Sequence, residues 1–590
     1  MSTFHFLQNP PRYFFFTGKG GVGKTSIACA TALDLTDRGK RVLLVSTDPA
    51  SNIAQVFAQE IGNHLTPIDV VSGLSALEID PEEAVAQYRE RILGPLRGAI
   101  PDEELTAAAE QLSGSCTTEI ASFDEFTGLL TNPEIATTFD HVLFDTAPTG
   151  HTIRLLRLPG SWNSYLERGR GDASCLGPIA GLDKQKSVYA EAVAALANPG
   201  LTRLVLVARP QRSALAEISR THEELAKIGL THQHVVINGI LPAEAVTDTL
   251  SAAILERESE AIEGIPANIS DLPRDCITLK SANMVGVPAL RTLFVEKETR
   301  QETEIESGPA FDLPALGTLM DELARHDHGL IMLMGKGGVG KTTLAAAVAV
   351  SLAKAGKSVL LTTTDPAAHL VETLRGSVEN LTVSRIDPEV EILAYRERVL
   401  RSRGAKMNEL DRALLEEDLR SPCYEEVAVF EAFSKAVRES RRSFVVVDSA
   451  PTGHTLLLMD ATGAYHREVT RQMTEGSTFS TPLMRLQDPE STRVIITTLA
   501  ETTPVLEAEE LQDDLRRAGI EPWAWIVNQS LLAAGPTSPL LRSRALNEQA
   551  QIERVGRELA NRFAVVPMLE TEPVGIAALE MLTGAVAATS

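Results

Sequence analysis

The sequence predicts an α/β fold of two tandem domains, each a mostly parallel sheet with helices on both faces, the two related by pseudo-twofold symmetry. Three observations support this prediction. The glycine-rich octapeptide GKGGVGKT occurs at residues 18–25, and GKGGVGKT returns at 335–342. In both halves, short apolar runs alternate with longer amphipathic stretches, a pattern typical of sheets buried on both faces. The chain of 590 residues also exceeds what one hydrophobic core usually supports.

The repeat spans a whole domain. STDPA follows the first glycine loop and TTDPA follows the second, while HVLFDTAPTGHT (141–152) returns as FVVVDSAPTGHT (444–455). NMVGVPAL near the end of the first half matches EPVGIAAL near the end of the second. A fixed order over this length indicates duplication of a complete domain. We therefore expect a first half at 1–295, an acidic linker punctuated by Gly and Pro at 296–328, and a second half at 329–590.

Each half is predicted to open with a strand, a glycine loop and a helix. RYFFFT and GLIMLM are the predicted strands, and alanine-rich helices follow the loops. We expect these helices to end at Gly39 and Gly356, because glycine readily takes the left-handed conformation found after a helix. RVLLVST and SVLLTTT then predict buried parallel strands, since both are almost continuously apolar.

Composition and charge argue against several classes of function. The chain has 55 basic and 79 acidic residues, a formal net charge of −24, which disfavours nucleic acid as a partner. It has neither a signal-peptide pattern nor an uninterrupted apolar run of the roughly 18 residues that a spanning helix needs. The five cysteines are few and scattered, which argues against a disulfide scaffold. These features predict a cytoplasmic protein without a transmembrane segment of its own.

The two glycine loops match the phosphate-binding motif G-x-x-x-x-G-K-[ST] between a strand and a helix. They predict P-loop NTPase domains, in which backbone N–H groups converge on phosphate oxygens at the positive end of a helix. Lys24 and Lys341 are expected to contact the β- and γ-phosphates of ATP, while Thr25 and Thr342 place a hydroxyl on Mg²⁺. The other loop residues predicted to hold nucleotide are Gly18, Gly20, Gly21, Val22, Gly23 and Ser26, with Gly335, Gly337, Gly338, Val339, Gly340 and Thr343.

Four aspartates follow predicted strands, where open α/β sheets bind their ligands. Asp48 and Asp365 lie in the STDPA and TTDPA motifs, and we assign them mainly to positioning the attacking water. Asp145 and Asp448 open the two D[TS]APTGHT motifs, and we assign them to the outer ligand sphere of Mg²⁺ and to sensing the γ-phosphate. The alternative is that these aspartates only cap the helices that follow them.

Two asparagines, Asn238 and Asn528, follow the predicted strands HVVI and WAWIV. An amide at that position could hydrogen-bond to the adenine edge of the nucleotide. Asparagine also forms turns readily, so a purely conformational role is the alternative.

Each glycine loop carries an additional lysine, Lys19 in the first and Lys336 in the second. A solvated loop lysine is one interpretation. The other is that the two phosphate sites face each other and each lysine reaches the nucleotide of the opposite half. Such a cation would neutralise transition-state charge in the manner of an arginine finger.

Taken together, these residues and motifs resemble those of a known family. GKGGVGKT is similar to the deviant P-loop whose signature lysine defines a class that includes septum-positioning, partitioning and nitrogenase iron-protein ATPases. STDPASN, DEFTGLL, DTAPTGHT and the tandem layout resemble the arsenical pump-driving ATPases over nearly the whole chain. The resemblance implies ATP hydrolysis that arsenite or antimonite stimulates and that drives a membrane efflux carrier. It also implies peripheral association with the inner face of the membrane and a possible metallochaperone partner.

The resemblance also implies metalloid ligands drawn from both halves. Trivalent arsenic and antimony are soft and prefer thiolates, and a ligand that bridges the halves would favour one closed state. A lone cysteine is otherwise a small buried apolar residue, and we keep that interpretation for Cys29 and Cys276. The two histidines of the PTGHT motifs could instead cap a helix or relay the nucleotide state. The implied ligands are Cys116, Cys175 and Cys423, with His151, His454 and Ser421 as additional contacts.

Two other functions fit part of the sequence. A targeting ATPase for tail-anchored membrane proteins resembles a single half, and in eukaryotes it uses a C-x-x-C pair that this chain lacks. A nucleotide-dependent positional switch of the partitioning type would leave the matched Cys116 and Cys423 without an explanation.

Overall fold

A computed structural model describes most of the chain. The described residues are 4–47, 53–94, 97–98, 101, 105, 115–146, 182–295, 313–364, 370–402, 412, 415, 419, 423–449 and 481–584. They form two compact units, Met1–Thr303 and Glu304–Ser590, and the division falls within the predicted linker at 296–328. The predicted boundaries of that linker remain a prediction.

The first unit is built on an eight-stranded sheet in the order β3-β4-β2-β5-β1-β6-β7-β8. All its strand pairs are parallel except that of β3 with β4. The strands are β1 (Tyr13–Thr17), β2 (Val42–Ser46), β3 (Thr66–Pro67), β4 (Leu74–Glu78), β5 (His141–Asp145), β6 (Thr202–Ala208), β7 (Gln233–Ile240) and β8 (Arg274–Thr278). The helices are α1 (Lys24–Asp37), α2 (Ile53–Phe57), α3 (Pro81–Leu93), α4 (Ser115–Thr131), α5 (Pro133–Thr138), α6 (Leu182–Ala197), α7 (Arg212–Lys227), α8 (Thr249–Glu263), α9 (Ala267–Ser270) and α10 (Val287–Thr292).

The second unit repeats this sheet with seven parallel strands in the order β11-β10-β12-β9-β13-β14-β15. The strands are β9 (Gly329–Met334), β10 (Val359–Thr363), β11 (Leu381–Val383), β12 (Phe444–Asp448), β13 (Thr492–Leu499), β14 (Ala524–Ser530) and β15 (Phe563–Pro567). The helices are α11 (Leu316–Leu323), α12 (Lys341–Lys354), α13 (Leu370–Leu374), α14 (Pro388–Ser402), α15 (Cys423–Glu439), α16 (Pro482–Leu486), α17 (Thr502–Arg517), α18 (Leu531–Ala534), α19 (Pro539–Arg554) and α20 (Ile576–Leu582).

Both faces of each sheet are covered, as the continuously apolar strands predict. In β1, Phe14 and Phe16 pack into the core that contains α1, while Tyr13 and Phe15 pack into the core on the other face. Strand β9 divides its side chains between two cores in the same way. The predicted α/β class with parallel sheets and helices on both faces is therefore confirmed for each half.

The helices that follow the glycine loops end where the sequence predicts. Gly39 and Gly356 have φ angles of +77° and +81°, the left-handed conformation that a side chain disfavours. Their N–H groups donate to the carbonyls of Thr36 and Ala353 at 2.8 and 3.0 Å. These contacts satisfy carbonyls that the last helical turn leaves unpaired.

Helix α11 lies before β9, within the span that the sequence predicts as linker. Leu316, Leu319 and Leu323 are buried in the core of the second unit beside β9. The Val565 N–H of β15 also donates to the Pro314 carbonyl at 2.8 Å, just ahead of this helix. Residues 314–323 are thus packed parts of the second unit. None of the helices in the described part of the chain combines the length and the apolar character that a bilayer-spanning helix requires.

Candidate functional site

Each glycine loop joins the central strand of its sheet to a buried helix. Gly23 and Gly340, at the N-termini of α1 and α12, have φ angles of +92° and +90°. A Cβ atom on Gly23 would lie 2.3 Å from the Asn238 amide nitrogen, and one on Gly340 would lie 2.2 Å from that of Asn528. Glycine is required here both for the backbone conformation and for the close approach of the asparagine.

The two asparagines brace the loops from the neighbouring strands. Asn238 at the end of β7 donates an amide N–H to the Val22 carbonyl at 2.8 Å, and Asn528 in β14 donates to the Val339 carbonyl at 2.9 Å. This contact does not follow from the sequence pattern, which predicts only a turn or a ligand contact for the two asparagines. Recognition of adenine by these amides stays a prediction.

The loop lysines are buried against their own loops. Lys24 and Lys341 are each 6% exposed. The Lys24 ammonium donates to the Lys19 carbonyl at 3.2 Å, and that of Lys341 donates to the carbonyls of Gly335 and Lys336 at 2.8 and 2.9 Å. Each ammonium is therefore held in the loop that the motif predicts to bind phosphate.

A threonine and an aspartate meet beside each loop. The Thr25 hydroxyl donates to Asp145 Oδ2 at 2.6 Å, and the Thr342 hydroxyl donates to Asp448 Oδ2 at 2.8 Å. Both aspartates are 1% exposed, at the ends of β5 and β12. A hydroxyl that gives its proton to a carboxylate keeps its oxygen lone pairs for a hard cation, so the donor set fits Mg²⁺.

The signature lysines form ion pairs within their own halves. Lys19 Nζ lies 3.9 Å from Glu217 Oε2, with the two side chains 33% and 15% exposed. Lys336 pairs with Glu507, and those side chains are 13% and 9% exposed. The glutamates lie at equivalent positions of α7 and α17, the helices that follow β6 and β13. Neither glutamate belongs to a recognised motif, although a glutamate at the same place in both repeats is a usable sequence signal.

The halves differ in charge at one pair of equivalent positions, next to the ends of β2 and β10. The Ile79 N–H donates to the Ser46 carbonyl at 3.0 Å, and the Ile386 N–H donates to the Thr363 carbonyl at 3.1 Å, so the residues before them are equivalent. These residues are Glu78 in the first half and Arg385 in the second. The first half thus has a carboxylate where the second has a guanidinium.

Two of the predicted metalloid cysteines begin equivalent helices. Cys116 is the second residue of α4 and Cys423 is the first residue of α15, although their side chains lie outside the described part of the structure. Six further predicted site residues also lie outside the described residues: Asp48, Asp365, His151, Cys175, Ser421 and His454.

Each of these two helices is joined by an ion pair to an earlier helix of its own unit. Arg91 of α3 pairs with Asp124 of α4, and Arg398 of α14 pairs with Glu431 of α15. Both arginines also lie over a tyrosine ring of their own helix, at 5.3 Å in each case. The same helix pair is therefore built twice, with a cysteine near the start of its second helix.

The cysteines predicted to be structural differ in environment. Cys29 is fully buried in α1, and burial together with the nearby Asp145 and Glu78 holds the pKa of its thiol well above the ordinary value. Cys276 is exposed on β8, so the expectation of a buried residue is wrong there. It alternates with the buried Asp275 and Ile277 on an edge strand, which turns it towards solvent. Among the described residues, no group of three or more His, Cys, Asp or Glu side chains is arranged to hold a metal ion.

Comparison with known proteins covers both halves. A family model described as anion-transporting ATPase matches residues 11–296, 328–485 and 483–587. An arsenical pump-driving ATPase of Escherichia coli is 60% identical over 583 residues, which are 98% of this chain and 100% of that protein. One of Acidiphilium multivorum is also 60% identical over 583 residues, with 98% and 99% covered. The ATPase GET3 of Kluyveromyces lactis is 32% identical over 255 residues, which are 40% of this chain and 73% of that protein.

Proposed function

This chain belongs to the family of anion-transporting ATPases, and from that premise we propose that it couples ATP hydrolysis at two P-loop sites to arsenite or antimonite efflux. Metalloid bound by cysteines stimulates the hydrolysis, and a membrane carrier uses the released energy. The observation that carries this proposal is the 60% identity, over the full length of the relative, to an arsenical pump-driving ATPase. A match of that extent includes both glycine loops and both cysteine helices.

The duplicated geometry supports ATP binding in each half. Lys24 and Lys341 neutralise the β- and γ-phosphates, while backbone N–H groups of the loops bind phosphate oxygens. Thr25 and Thr342 would hold Mg²⁺, with Asp145 and Asp448 accepting their hydroxyl protons. When bound, Mg²⁺ offsets the negative charge that builds up on the phosphate oxygens. Asp48 and Asp365 position the attacking water.

The signature lysines supply a further cation to the transition state. Lys19 and Lys336 lie in their glycine loops and are paired with glutamates, which localises the ammonium groups. A role for each lysine at the nucleotide of the opposite half stays a prediction from the sequence. A cation that arrives only in the reactive state would accelerate phosphoryl transfer in the same way as an arginine finger.

The metalloid ligands are Cys116, Cys175 and Cys423, because three thiolates suit a soft trivalent ion. His151, His454 and Ser421 add weaker contacts. Helices α4 and α15, which carry Cys116 and Cys423, each form an ion pair with an earlier helix of the same unit. The same contact in both halves supports equivalent roles for the two cysteine-bearing helices.

The pump assignment is preferred to a targeting ATPase for tail-anchored proteins. The ATPase GET3 relative aligns with 40% of this chain, whereas the pump-driving relatives align with 98%. The proposed setting is the cytoplasm, at the inner face of the membrane, where the protein docks on a metalloid efflux carrier. A metallochaperone could deliver the metalloid to it.

Measurement of antimonite-stimulated ATP hydrolysis, in variants with one cysteine replaced at a time, tests this proposal. Cys116→Ser and Cys423→Ser should each abolish stimulation while ATP binding, measured by calorimetry, stays within a factor of about two of wild type. Cys276→Ser is the matched control, since that thiol is exposed on β8 and should leave stimulation intact. Full stimulation in both test variants would contradict the metalloid role while leaving ATP hydrolysis in place.

A further inference from the structure

A glutamate, half-buried in the first half and buried in the second, hydrogen-bonds to the backbone just after the strand-end asparagine. Glu258 of α8 accepts the Leu241 N–H at 2.7 Å, and Glu548 of α19 accepts the Leu531 N–H at 3.0 Å. Leu241 and Leu531 each lie three residues beyond the asparagine that braces the glycine loop. Both halves therefore fix the backbone at the same point of the same loop with a carboxylate.

The second half strengthens this anchor. Glu548 also accepts the Leu532 N–H at 3.0 Å and the Ser530 hydroxyl at 2.7 Å, and it is only 8% exposed. A buried carboxylate that accepts several backbone N–H groups is costly to place and strongly defines the loop around it. The Glu548 carboxylate is therefore not an ordinary solvated charge on the surface of its helix.

The anchored backbone is irregular in both halves. The register of β7 with β8 shifts between Asn238 and Ile240, and that of β14 with β15 shifts between Val527 and Ser530. At the shift, Gly239 has a φ of +81° and Gln529 a φ of +55°. A bulge re-aims the side chain beside it, and the left-handed conformation at a non-glycine residue persists only where its surroundings enforce it.

The position of these loops in the sheet points to the nucleoside side of the ligand. The glycine loop follows the central strand, and the Thr–Asp pair predicted to hold Mg²⁺ lies on the β5 and β12 side. Strands β7 and β14 lie on the opposite side of the central strand, two strands away. With the phosphate chain between, the base and ribose extend towards the loops after β7 and β14, at the carboxyl edge where α/β sheets bind ligands.

We propose that Glu258 and Glu548 are positioning residues that fix these loops and so set the affinity of each half for the nucleoside part of its nucleotide. The proposal rests on the ATP binding proposed above. It assigns the two carboxylates no contact with phosphate or metal. Their substitution should weaken nucleoside recognition and spare triphosphate recognition.

Calorimetry with Mg-ATP and with Mg-tripolyphosphate, which lacks a nucleoside, tests this in the full chain. Glu258→Gln is measured in a Lys341→Ala background, so that binding reports on the first half, and Glu548→Gln in a Lys24→Ala background. Each variant should raise the Kd for ATP by about tenfold, the size of effect expected when a backbone hydrogen bond that fixes the loop is weakened. The Kd for tripolyphosphate should stay at the background value. Glu256→Gln, an exposed position on the same helix as Glu258, is the control.

Two outcomes would overturn the inference. Equal losses for ATP and tripolyphosphate would make the effect a general distortion of the site. An unchanged Kd for ATP, with a lowered Tm, would make the glutamates purely structural. If the background proteins bind ATP but antimonite does not stimulate wild type, the proposed function fails while the inference about the loops stands.

Discussion

The two halves hold their signature lysines differently although the rest of the loop is alike. Lys336 and Glu507 are 13% and 9% exposed, whereas Lys19 and Glu217 are 33% and 15% exposed and 3.9 Å apart. By contrast, the Thr–Asp and Asn–loop hydrogen bonds differ by no more than 0.2 Å between the halves. Duplication has therefore preserved the contacts that shape the loop and changed the surroundings of the additional cation.

A second difference reinforces the first. Glu78 in the first half corresponds to Arg385 in the second, beside the end of the strand that precedes Asp48 or Asp365. An opposite charge at equivalent positions gives two chemically similar sites different local electrostatics. We therefore expect the two sites to work at unequal rates.

Replacing one P-loop lysine at a time should produce the largest effect and reveal that inequality. Lys24→Ala and Lys341→Ala each remove a buried ammonium, so turnover at the altered site should fall by about 100-fold or more. The antimonite-stimulated rate that remains then belongs to the other half, and the two variants should differ. Steady-state ATPase assays measure this, with the double variant as the baseline. Equal residual rates would show that the structural asymmetry has no kinetic consequence.

Removing the charge of the glutamate that pairs with each signature lysine should destabilise the protein more in the second half than in the first. Glu507→Gln removes the carboxylate that faces Lys336 in a nearly buried site and should cost about 1–3 kcal/mol. Glu217→Gln affects a longer, more exposed pair and should cost less than about 1 kcal/mol. Urea unfolding of both variants checks the ranking, with Glu260→Gln as an exposed ion-pair control. A reversed ranking would contradict the burial argument.

The stability of the first half should depend on pH through Glu258. Burial raises the pKa of Glu258 from 4.5 to about 7, against the opposing effects of the Leu241 N–H, Arg209 and Arg257. Because the folded pKa exceeds the unfolded one, the carboxyl contributes stability that is complete below about pH 4.5 and is lost as pH rises through about 7. From about pH 6 to about pH 8.5, wild type should lose roughly 1–2 kcal/mol more than Glu258→Gln.

Urea unfolding across that pH range measures the difference. Glu548→Gln is the companion variant, since burial raises the pKa of Glu548 too, with Glu501 adding to the shift and three hydrogen bonds opposing it. A Glu258→Gln curve parallel to wild type would mean that Glu258 keeps the same protonation state in the folded and unfolded chain.

The smallest expected effect is one in which the halves should agree. Gly39→Ala and Gly356→Ala each place a methyl group at a φ near +80°, with no heavy atom within 4 Å of the added carbon. Each should lose about 1 kcal/mol through backbone strain alone. Thermal unfolding in both variants measures the loss. A clear difference between the two losses would mean that the two halves contribute unequally to global unfolding. That difference would then have to be subtracted when the losses for Glu217→Gln and Glu507→Gln are compared.

Much of the fold could be predicted from sequence because its signals are local. Apolar runs place the central strands, and the glycine motif places Thr25 and Thr342, whose hydroxyls donate to the strand-end aspartates. The glutamate contacts could not be predicted in this way. Glu258 lies on a helix with an exposed glutamate two positions earlier, so periodicity alone describes it as a surface charge. Its partial burial depends on the loop after β7, whose Leu241 N–H it accepts.

The asparagine contacts were obscured for a related reason. Asn238 and Asn528 follow apolar strands, a position compatible with turns or ligands, and only the folded sheet brings each amide to its glycine loop. Cys276 was misjudged because its strand is at the edge of the sheet, where one side faces solvent. In each case the missing information was which segments, distant in sequence, lie next to each other in the folded sheet.

Helix α11 has a practical meaning for dissecting the chain. A second half expressed from residue 329, the first position after the predicted linker, would leave behind the leucines at 316, 319 and 323 that fill its core. It would also lose the Pro314 carbonyl that pairs with β15. A clone of this half should therefore start at residue 313 or earlier, and a protease site for splitting the two halves belongs upstream of that position.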